Sequence, residues 1–342
     1  MDAVTRHPAW FGSVMGTGGL ALVFTAQGSQ WTLTALDIIG AALLLLASAL
    51  AIGLAPRYVR RLRQPKALAY ELADPAHGAM LATFPAGLLV LAICWGSIGP
   101  IIVPRPIALW TDGALLLLGV LIALPVSIAW ATATARSGTA LAGVNGGWLL
   151  PPVMNLLVPL ALVPIIEANA RHALSLSVIA AAFLGIGVFL FLFVMSLIVA
   201  RLALREPAPS AMSPSLWIPL APSGFLGLAL IRLLEAGVRT EIISPAVLPI
   251  AVLVAAMGIG FGLWWTLFAL VDLHRSHREG GLPFHPGWWG FVFPIAAMAL
   301  SVAAVGTATG LTWIAIMGAA MAVALTAVWG LVAGRALRVI RR

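Results

Sequence analysis

Ten long apolar segments run through this 342-residue chain, and they alternate between two kinds. The odd-numbered segments are interrupted near their middles by proline or clustered glycine, whereas the even-numbered ones are mostly smooth. About 20 apolar residues suffice for a helix to cross a bilayer. The pattern therefore predicts ten transmembrane helices, at about 9–27, 33–55, 80–100, 107–131, 147–166, 174–200, 215–235, 246–271, 288–309 and 311–334.

The breaks in the odd-numbered segments suggest how the helices are arranged. A proline inside a helix removes a backbone hydrogen bond and bends the axis. Because lipid cannot satisfy the freed carbonyl, such breaks lie against other helices or line a cavity. We therefore expect the odd helices to surround a central pore and the even ones to face lipid. The expected pore-lining kinks are Gly16, Gly18, Pro85, Pro152, Pro159, Pro222 and Pro294.

The recurring unit is a helical hairpin of about 65–70 residues, made of a broken segment, a short turn and a smooth segment. Five such hairpins fill the chain and run in parallel, which favours a quasi-fivefold ring around a pore. Apolar residues make up 62% of the chain and charged residues 9%, against roughly 25% charged in soluble domains. We therefore predict an all-α polytopic membrane protein with a single domain, residues 1–342, and no cleavable signal peptide.

The net charge of +8 is distributed as expected for a membrane protein rather than a nucleic-acid-binding one. With the N-terminus inside, fifteen basic residues fall on the cytoplasmic side and only Arg105, Arg171 and Arg239 on the outer side. This bias predicts cytoplasmic termini in a bacterial inner membrane. The basic run at 57–66 suits contact with anionic lipid headgroups, with a regulatory or partner-binding role as the alternative.

Ionisable side chains are scarce inside the predicted spans. All six histidines fall in connections or near the N-terminus, and the single cysteine excludes a cysteine metal cage. We therefore expect no bound metal, no cofactor and no enzyme activity. Arg232 and Glu235 share a helix face at the outer end of the seventh span. They either neutralise each other or leave Arg232 to attract anions, whereas Asp37 and Asp112 suit helix N-termini structurally.

Polar and aromatic side chains recur on the broken spans. Hydroxyls and amides there could replace part of an anion's hydration shell or simply join helices. These polar candidates are Ser13, Thr17, Thr83, Asn155 and Ser223. Phe84 and Phe293 each precede a proline, where a bulky ring could gate a channel or pack in the core.

Residues 283–294, PFHPGWWGFVFP, resemble a signature of the tellurite-resistance/dicarboxylate transporter family, which includes bacterial TehA, fungal malate and sulfite permeases and the plant slow anion channel. Residues 10–19 and 71–75 resemble it more weakly. The resemblance implies ten helices, a pore lined by odd helices in each subunit of a homotrimer, and a plug at Phe293. Family members often have His-Pro where this chain has Asp74-Pro75, which leaves proton coupling there open.

Two functions follow from these observations. The first is a gated channel for small anions, with Phe293 as its gate and Phe84 as a second ring. The second is a proton-coupled transporter of C4-dicarboxylates or of small oxyanions such as sulfite and tellurite. The partners expected for either function are small anions, membrane lipids and further copies of the chain. A weakly polar pore suits chloride, nitrate, sulfite, tellurite and malate alike.

Overall fold

The computed structural model describes residues 7–136, 138–205, 209–279 and 281–340. These residues form helices and connections without a strand, and they include ten helical spans long and apolar enough to cross a membrane, the third of which runs over Pro75–Ser97. Arg6, Arg341 and Arg342, which the charge count includes, lie outside the described residues. The ten helices are α1 (Phe11–Trp31), α2 (Thr34–Leu62), α3 (Thr83–Ser97), α4 (Arg105–Arg136), α5 (Leu150–Ala168), α6 (Ala173–Leu204), α7 (Leu220–Arg239), α8 (Leu248–Arg278), α9 (Trp289–Thr309) and α10 (Thr312–Ile340).

The even-numbered helices are longer than their apolar segments. Helices α4 and α6 each contain 32 residues, because the last turns continue into polar sequence that includes Arg136 and Arg201. Polar residues beyond an apolar stretch are compatible with helix at the membrane surface, so hydropathy alone underestimates these lengths.

Several odd-numbered spans break where their main α-helix begins, whereas Pro159 and Pro294 lie inside α5 and α9. A short helix, Pro75–Leu81, precedes α3, and 3₁₀ turns precede α5, α7 and α9. Pro85, Pro152 and Pro222 are each the third residue of the following α-helix. A proline in the first turn costs little, because the N–H it lacks would have no partner within the helix.

Four odd-numbered spans begin with the same hydrogen bond. A side chain there accepts from the backbone N–H two residues further on, which satisfies a donor that the helix leaves free. The accepting residues are His7, Asp74, Asn145 and His285. Asp74 therefore provides the same cap as the histidines. Partial burial opposes its ionisation, but hydrogen bonds from His77 and from the N–H of Ala76 outweigh this and lower the pKa of Asp74.

Burial separates the two kinds of span. Between 78% and 89% of each odd-numbered span's most apolar window is buried, against 22% to 33% for the even-numbered spans. The broken spans therefore form the interior, and the smooth spans present apolar surface outward.

Helix contacts follow the hairpins and then close into a ring. Each odd helix packs most extensively against the even helix that follows it. In addition, α1 packs against α3, α3 against α5, α5 against α7, α7 against α9 and α9 against α1. Each even helix also packs against the odd helix of the next hairpin. These contacts are consistent with the quasi-fivefold arrangement that the sequence predicts.

Small residues allow the ring helices to approach closely. A methyl group built on Gly224 of α7 would lie 2.7 Å from the backbone carbonyl carbon of Ala297 in α9. Gly16 and Gly18 of α1 face Val292 and Val90 in the same way, at 2.9 and 2.7 Å. Helix α1 is continuous through both glycines, so these residues are close-packing positions on the ring.

Candidate functional site

Two cavities lie on either side of one aromatic ring inside the helix ring. The wide cavity has a volume of about 610 Å³ and is lined by the C-terminal parts of all five odd spans, including Thr25, Ile93, Leu160, Leu228 and Leu300. The narrow cavity has a volume of about 110 Å³ and is lined by the N-terminal parts of the same five spans, including Gly12, Thr83, Val153, Ile218 and Gly290. Both cavities therefore lie along the interior of the ring.

Among the described residues, Phe293 is the one that lines both the wide and the narrow cavity. Its side chain is 5% exposed and its ring centroid lies 5.3 Å from that of Phe225 in α7. A methyl group built on Gly19 of α1 would lie 3.6 Å from Cδ2 of Phe293. The ring therefore lies between α7 and α1 where the two cavities meet.

Phe84, the other predicted gating residue, has a different environment. Its ring is stacked on Tyr58 of α2 at a centroid distance of 4.0 Å and meets Phe11 edge-on at 4.7 Å. It is 4% exposed and lines neither cavity. The structure therefore does not bring Phe84 and Phe293 together, although both precede a proline.

The predicted kink residues are distributed unevenly around the cavities. Pro294 lines the narrow cavity beside Phe293. The other residues of this set line neither cavity: Gly16, Gly18, Pro85, Pro152, Pro159 and Pro222. The glycines lie at helix contacts, as described above, and three of the prolines begin helices.

The five predicted polar residues all have internal hydrogen bonds. Ser13, Thr83 and Ser223 donate to carbonyl groups of their own spans, at 2.7 Å each. Thr83 is the member of this set that lines a cavity, the narrow one. Hydroxyls bound in this way need no ligand to satisfy their donors.

Two further polar candidates point to even helices rather than to a cavity. Thr17 accepts a hydrogen bond from the indole of Trp329 in α10, with the nitrogen 3.0 Å from its hydroxyl oxygen. Asn155 donates to the carbonyl of Pro151 at 2.8 Å and lies 3.4 Å from the hydroxyl of Ser127 in α4. Both side chains therefore join ring helices to the outer helices.

Charged side chains gather around the wide cavity. Arg232 donates to Glu235 at 3.0 Å, as the sequence spacing suggests, and Arg239 forms an ion pair with Glu167 across the α5–α7 contact. Arg239 also lies 3.9 Å from Glu235. Arg105, at the start of α4, lines the cavity, is exposed and has no carboxylate partner in the described part of the chain.

These charges leave the cavity net positive. Arg105, Arg232, Arg239 and Glu167 line it, Glu235 pairs with Arg232 beside it, and the lining cation without a carboxylate partner among the described residues is Arg105 rather than Arg232. Cations around a cavity attract anions over distances comparable to the Debye length. The mutual neutralisation of Arg232 and Glu235, one of the two alternatives from the sequence, is present in the structure.

Sequence reasoning missed three features of this site. Phe225, the partner of Phe293, follows Pro222 by three residues, and that spacing after a helix break is the signal that marks it. The sequence analysis places Arg105 and Arg239 only among the basic residues of the outer side. Their positions beside ends of α4 and α7 indicate that they can reach the mouth of the ring.

Asp112 also differs from its predicted role. It lies two turns inside α4 rather than at the helix start, is fully buried, and neither carboxylate oxygen has a hydrogen-bond partner among the described residues. A methyl group on Gly96 of α3, which lines the wide cavity, would lie 2.5 Å from Asp112 Oδ2. Ionisable groups at such depth are functional candidates in membrane proteins.

No group of three or more histidine, cysteine or acidic residues within the described ranges is placed to hold a metal ion. The interior offers apolar walls, an aromatic ring where the two cavities meet and a positively charged mouth, which suit a small negatively charged solute.

Comparison with known proteins agrees with this chemistry. A family model described as SLAC1, voltage-dependent anion channel, matches residues 6–337. An uncharacterized transporter of Methanocaldococcus jannaschii is 28% identical, over 86% of this chain and 82% of its own length. A sulfite efflux pump of Trichophyton rubrum is 26% identical, over 95% of this chain and 88% of its own. A sulfite efflux pump of Arthroderma benhamiae is similar to the same extent.

Proposed function

Because the chain belongs to the SLAC1 family of voltage-dependent anion channels, we propose that it is a gated channel for small anions. Anion transport in general, by an integral membrane protein, follows from the family and from the ten spans. The finer proposal is that anions pass along the inside of each subunit through the wide and narrow cavities. Phe293 closes this path in the state described here.

One observation carries the proposal: Phe293 is shared by two cavities that are each lined by all five odd spans. A path through the ring has to pass this position. An apolar ring at a constriction stops ions because they cannot keep their hydration shell beside it. The proposed gate therefore consists of Phe293, supported by Phe225 and by the space left at Gly19.

Weak binding favours conduction over capture. The walls of the wide cavity are mostly apolar, and its cations lie near the mouth, where Glu167 and Glu235 offset most of their charge. An anion would be attracted without being held, which conduction requires. The proposed direction places the wide cavity outside and the termini in the cytoplasm of a bacterial inner membrane, in agreement with the distribution of basic residues.

Ion-substitution recordings test the function directly. We expect purified protein in planar bilayers to give currents whose reversal potential follows the chloride or nitrate gradient and ignores the sodium gradient. Replacing chloride on one side with gluconate should shift the reversal potential toward the value for the remaining permeant anion. A reversal potential that follows sodium, or no current from correctly folded protein, would refute the channel.

Proton-coupled transport of an oxyanion is the second candidate, and Asp112 is the observation that favours it. Coupling needs a titratable group near the path, and this buried carboxyl lies behind Gly96 at the wide cavity. Relatives named as sulfite efflux pumps make sulfite a suitable test substrate. If a pH gradient drives sulfite into proteoliposomes against the sulfite gradient, the result would favour coupling. Uptake that only equilibrates sulfite would favour the channel.

The subunit arrangement is part of the proposal. We expect a homotrimer, in which exposed apolar surface of the even helices meets neighbouring subunits and lipid. Light scattering of the purified protein, corrected for detergent, should give three times the 35.6 kDa chain mass. A monomer under conditions that retain anion currents would contradict it.

A further inference from the structure

We propose that His285 is a positioning residue for the gate: its neutral imidazole ties the start of α9 to the seventh span, and its protonation favours opening. This inference rests on the proposed gating at Phe293 and adds a pH input to it. His285 lines the narrow cavity, as do its two hydrogen-bonding partners, Ala211 and Gly287. It precedes Phe293 by eight residues.

The two ring nitrogens of His285 have partners of opposite kinds. Nδ1 lies 3.1 Å from the backbone nitrogen of Gly287, whose N–H can only donate. Nε2 lies 2.8 Å from the carbonyl oxygen of Ala211, which can only accept. A neutral imidazole has one donor and one acceptor. Nε2 must therefore carry the hydrogen and Nδ1 must be unprotonated, so both bonds form only when the ring is neutral.

These two bonds join the beginnings of two ring helices. Gly287 belongs to the 3₁₀ turn Pro286–Trp288, which leads directly into α9. Ala211 belongs to the 3₁₀ helix Ser210–Trp217, which precedes α7. The rings that meet at the gate, Phe293 and Phe225, lie on these same two helices. The imidazole therefore fixes the start of the gate helix against the helix that supports the gate.

Protonation of His285 removes one of the two bonds. The second proton occupies Nδ1, which then faces the N–H of Gly287 and cannot accept from it. The ring lies directly against Gly287, because a methyl group built there would be 2.5 Å from Cε1 of the imidazole. The imidazolium can avoid the N–H only by moving away from it. Protonation therefore disfavours the closed arrangement described here and shifts the population toward the open one.

The elements that pack most extensively on the Pro286–Trp288 turn are uncharged. They are α9, the turn Pro8–Trp10 and the 3₁₀ helix Ser210–Trp217. These three segments contain no acidic, basic or histidine residue. The charge on His285 therefore has no partner within them that would stabilise the imidazolium in place.

The titratable groups around these segments lie at their edges. Asp272 of α8 accepts a hydrogen bond from Ser213 at 2.7 Å and pairs with Arg275, which also pairs with Glu279. Carboxylates and guanidinium groups ordinarily titrate outside the range of about pH 5–8 in which imidazole does. The same holds for Arg335, whose guanidinium lies 5.4 Å from the Trp288 ring. Beside Pro8–Trp10, however, His7 is an imidazole too and has to be tested as a control.

Imidazole nitrogen resonances test the geometry without a current. Protein labelled with ¹⁵N-histidine is reconstituted in lipid and followed from about pH 8 to about pH 5. The signal that His285→Asn removes should show a protonated Nε2 and an unprotonated Nδ1 at the upper end, and two protonated nitrogens at the lower end. The opposite tautomer at the upper end, or no second proton at the lower end, would overturn the proposal.

One-sided acidification of planar bilayers measures the coupling to the gate. Lowering the pH from about 8 to about 5.5 on the side of the narrow cavity should raise the chloride current about fivefold, the ratio that corresponds to loss of a helix cap worth ~1 kcal/mol. His285→Asn retains an acceptor for the N–H of Gly287, as Asn145 does for that of Gly147 at 2.8 Å. It cannot take up the proton, so its ratio of currents at the two pH values should fall to about one.

His7→Asn is the matched control. His7 accepts from the N–H of Ala9 at 3.2 Å, at the start of the first span, but it lines neither cavity. This variant should keep the fivefold ratio. An acid response that persists in His285→Asn, or that disappears in His7→Asn, would refute the assignment to His285.

Two outcomes separate this inference from the channel itself. Chloride currents that ignore pH would refute the inference alone. If acid titrates His285 and speeds hydrogen exchange at Gly287 relative to His285→Asn at the same pH, but no current flows at any pH, the switch is supported and the channel is refuted. If His285→Asn does not fold, the amide of Gly287 in the unmodified protein decides, because an amide signal that does not shift over this pH range overturns the proposal.

Discussion

Truncating the separating ring should open the path. In Phe293→Ala, nothing larger than a methyl group remains where the wide and narrow cavities meet, so we expect large ohmic anion currents. The increase can be estimated from what the ring loses when it moves aside. It leaves a site where it is 5% exposed, and it leaves Phe225, whose ring centroid lies 5.3 Å away.

Burial of a phenylalanine contributes about 1.5–3 kcal/mol, and an aromatic pair contributes about 0.5–1.5 kcal/mol beyond that. Opening the wild-type gate therefore costs about 2–4.5 kcal/mol. At ~1.4 kcal/mol per factor of ten, the closed state is favoured roughly 30- to 1,600-fold. Phe293→Ala removes this cost, so macroscopic chloride current per folded channel should rise by a factor in that range.

Phe84→Ala is the matched control, because Phe84 is as buried as Phe293 and also precedes a proline. Its ring is packed between Tyr58 and Phe11 instead of lying between cavities. Loss of a well-packed phenylalanine destabilises a core by about 3–5 kcal/mol. Phe84→Ala should therefore lower the unfolding midpoint more than Phe293→Ala does, and leave the current per folded channel near the wild-type level.

Planar-bilayer recordings normalised to folded protein, together with thermal unfolding in detergent, measure both effects. Equal currents in wild type and Phe293→Ala would refute the assignment of the gate. A large current increase in Phe84→Ala without one in Phe293→Ala would place the constriction elsewhere and refute the reasoning from the cavities.

Three further predictions concern packing, capping and charge. Gly224→Ala places a methyl group against the α9 backbone and should destabilise the protein by about 1–3 kcal/mol. Gly185→Ala is the control, because a methyl group there has no atom within 4 Å, and it should not lower the unfolding midpoint. Asp74→Ala removes a helix cap worth about 1 kcal/mol and should speed hydrogen exchange at the start of the third span. The folded pKa of Asp74 lies below its ordinary 3.8. The charge-dependent part of the stability difference between wild type and Asp74→Ala is therefore fully present above pH 3.8 and is lost as the pH falls through the folded pKa. Arg105→Gln should reduce chloride current more than Arg232→Gln in 0.01 M salt, where the Debye length is ~30 Å. The currents of the two variants should converge at 1 M salt. Equal effects at low salt would contradict the charge assignment.

The number and the order of the spans were predictable because their signals are local. Apolar length marks a crossing helix, and proline or glycine marks a break, whatever the neighbours are. The alternation of broken and smooth segments matches the alternation of buried and exposed helices. The position of each break was less predictable. Proline is compatible with the first turn of a helix, so Pro85 or Pro152 indicates a helix start as well as a kink.

The residues that face the cavities could not be predicted with the same success. The ring helices are apolar on every side, so no amphipathic pattern distinguishes the face toward the cavities from the faces toward other helices. Thr17 and Gly19 lie two residues apart on α1, yet Thr17 contacts α10 and Gly19 lies beside Phe293. Likewise, Phe84 and Phe293 share a local motif but differ in rotation about their helices. The family resemblance, rather than any periodicity, singled out Phe293.

The parallel direction of the odd helices explains why charged residues lie at only one cavity. All five helices place their N-terminal ends at the narrow cavity and their C-terminal ends toward the wide one. Helix C-termini carry partial negative charge and would repel an anion. Arginines at the wide cavity, including Arg105, Arg232 and Arg239, oppose that field, whereas the narrow cavity needs no cationic side chain because the helix ends are already positive. Along parallel helices, cationic side chains are therefore needed only at the C-terminal mouth, where the helix ends oppose an anion.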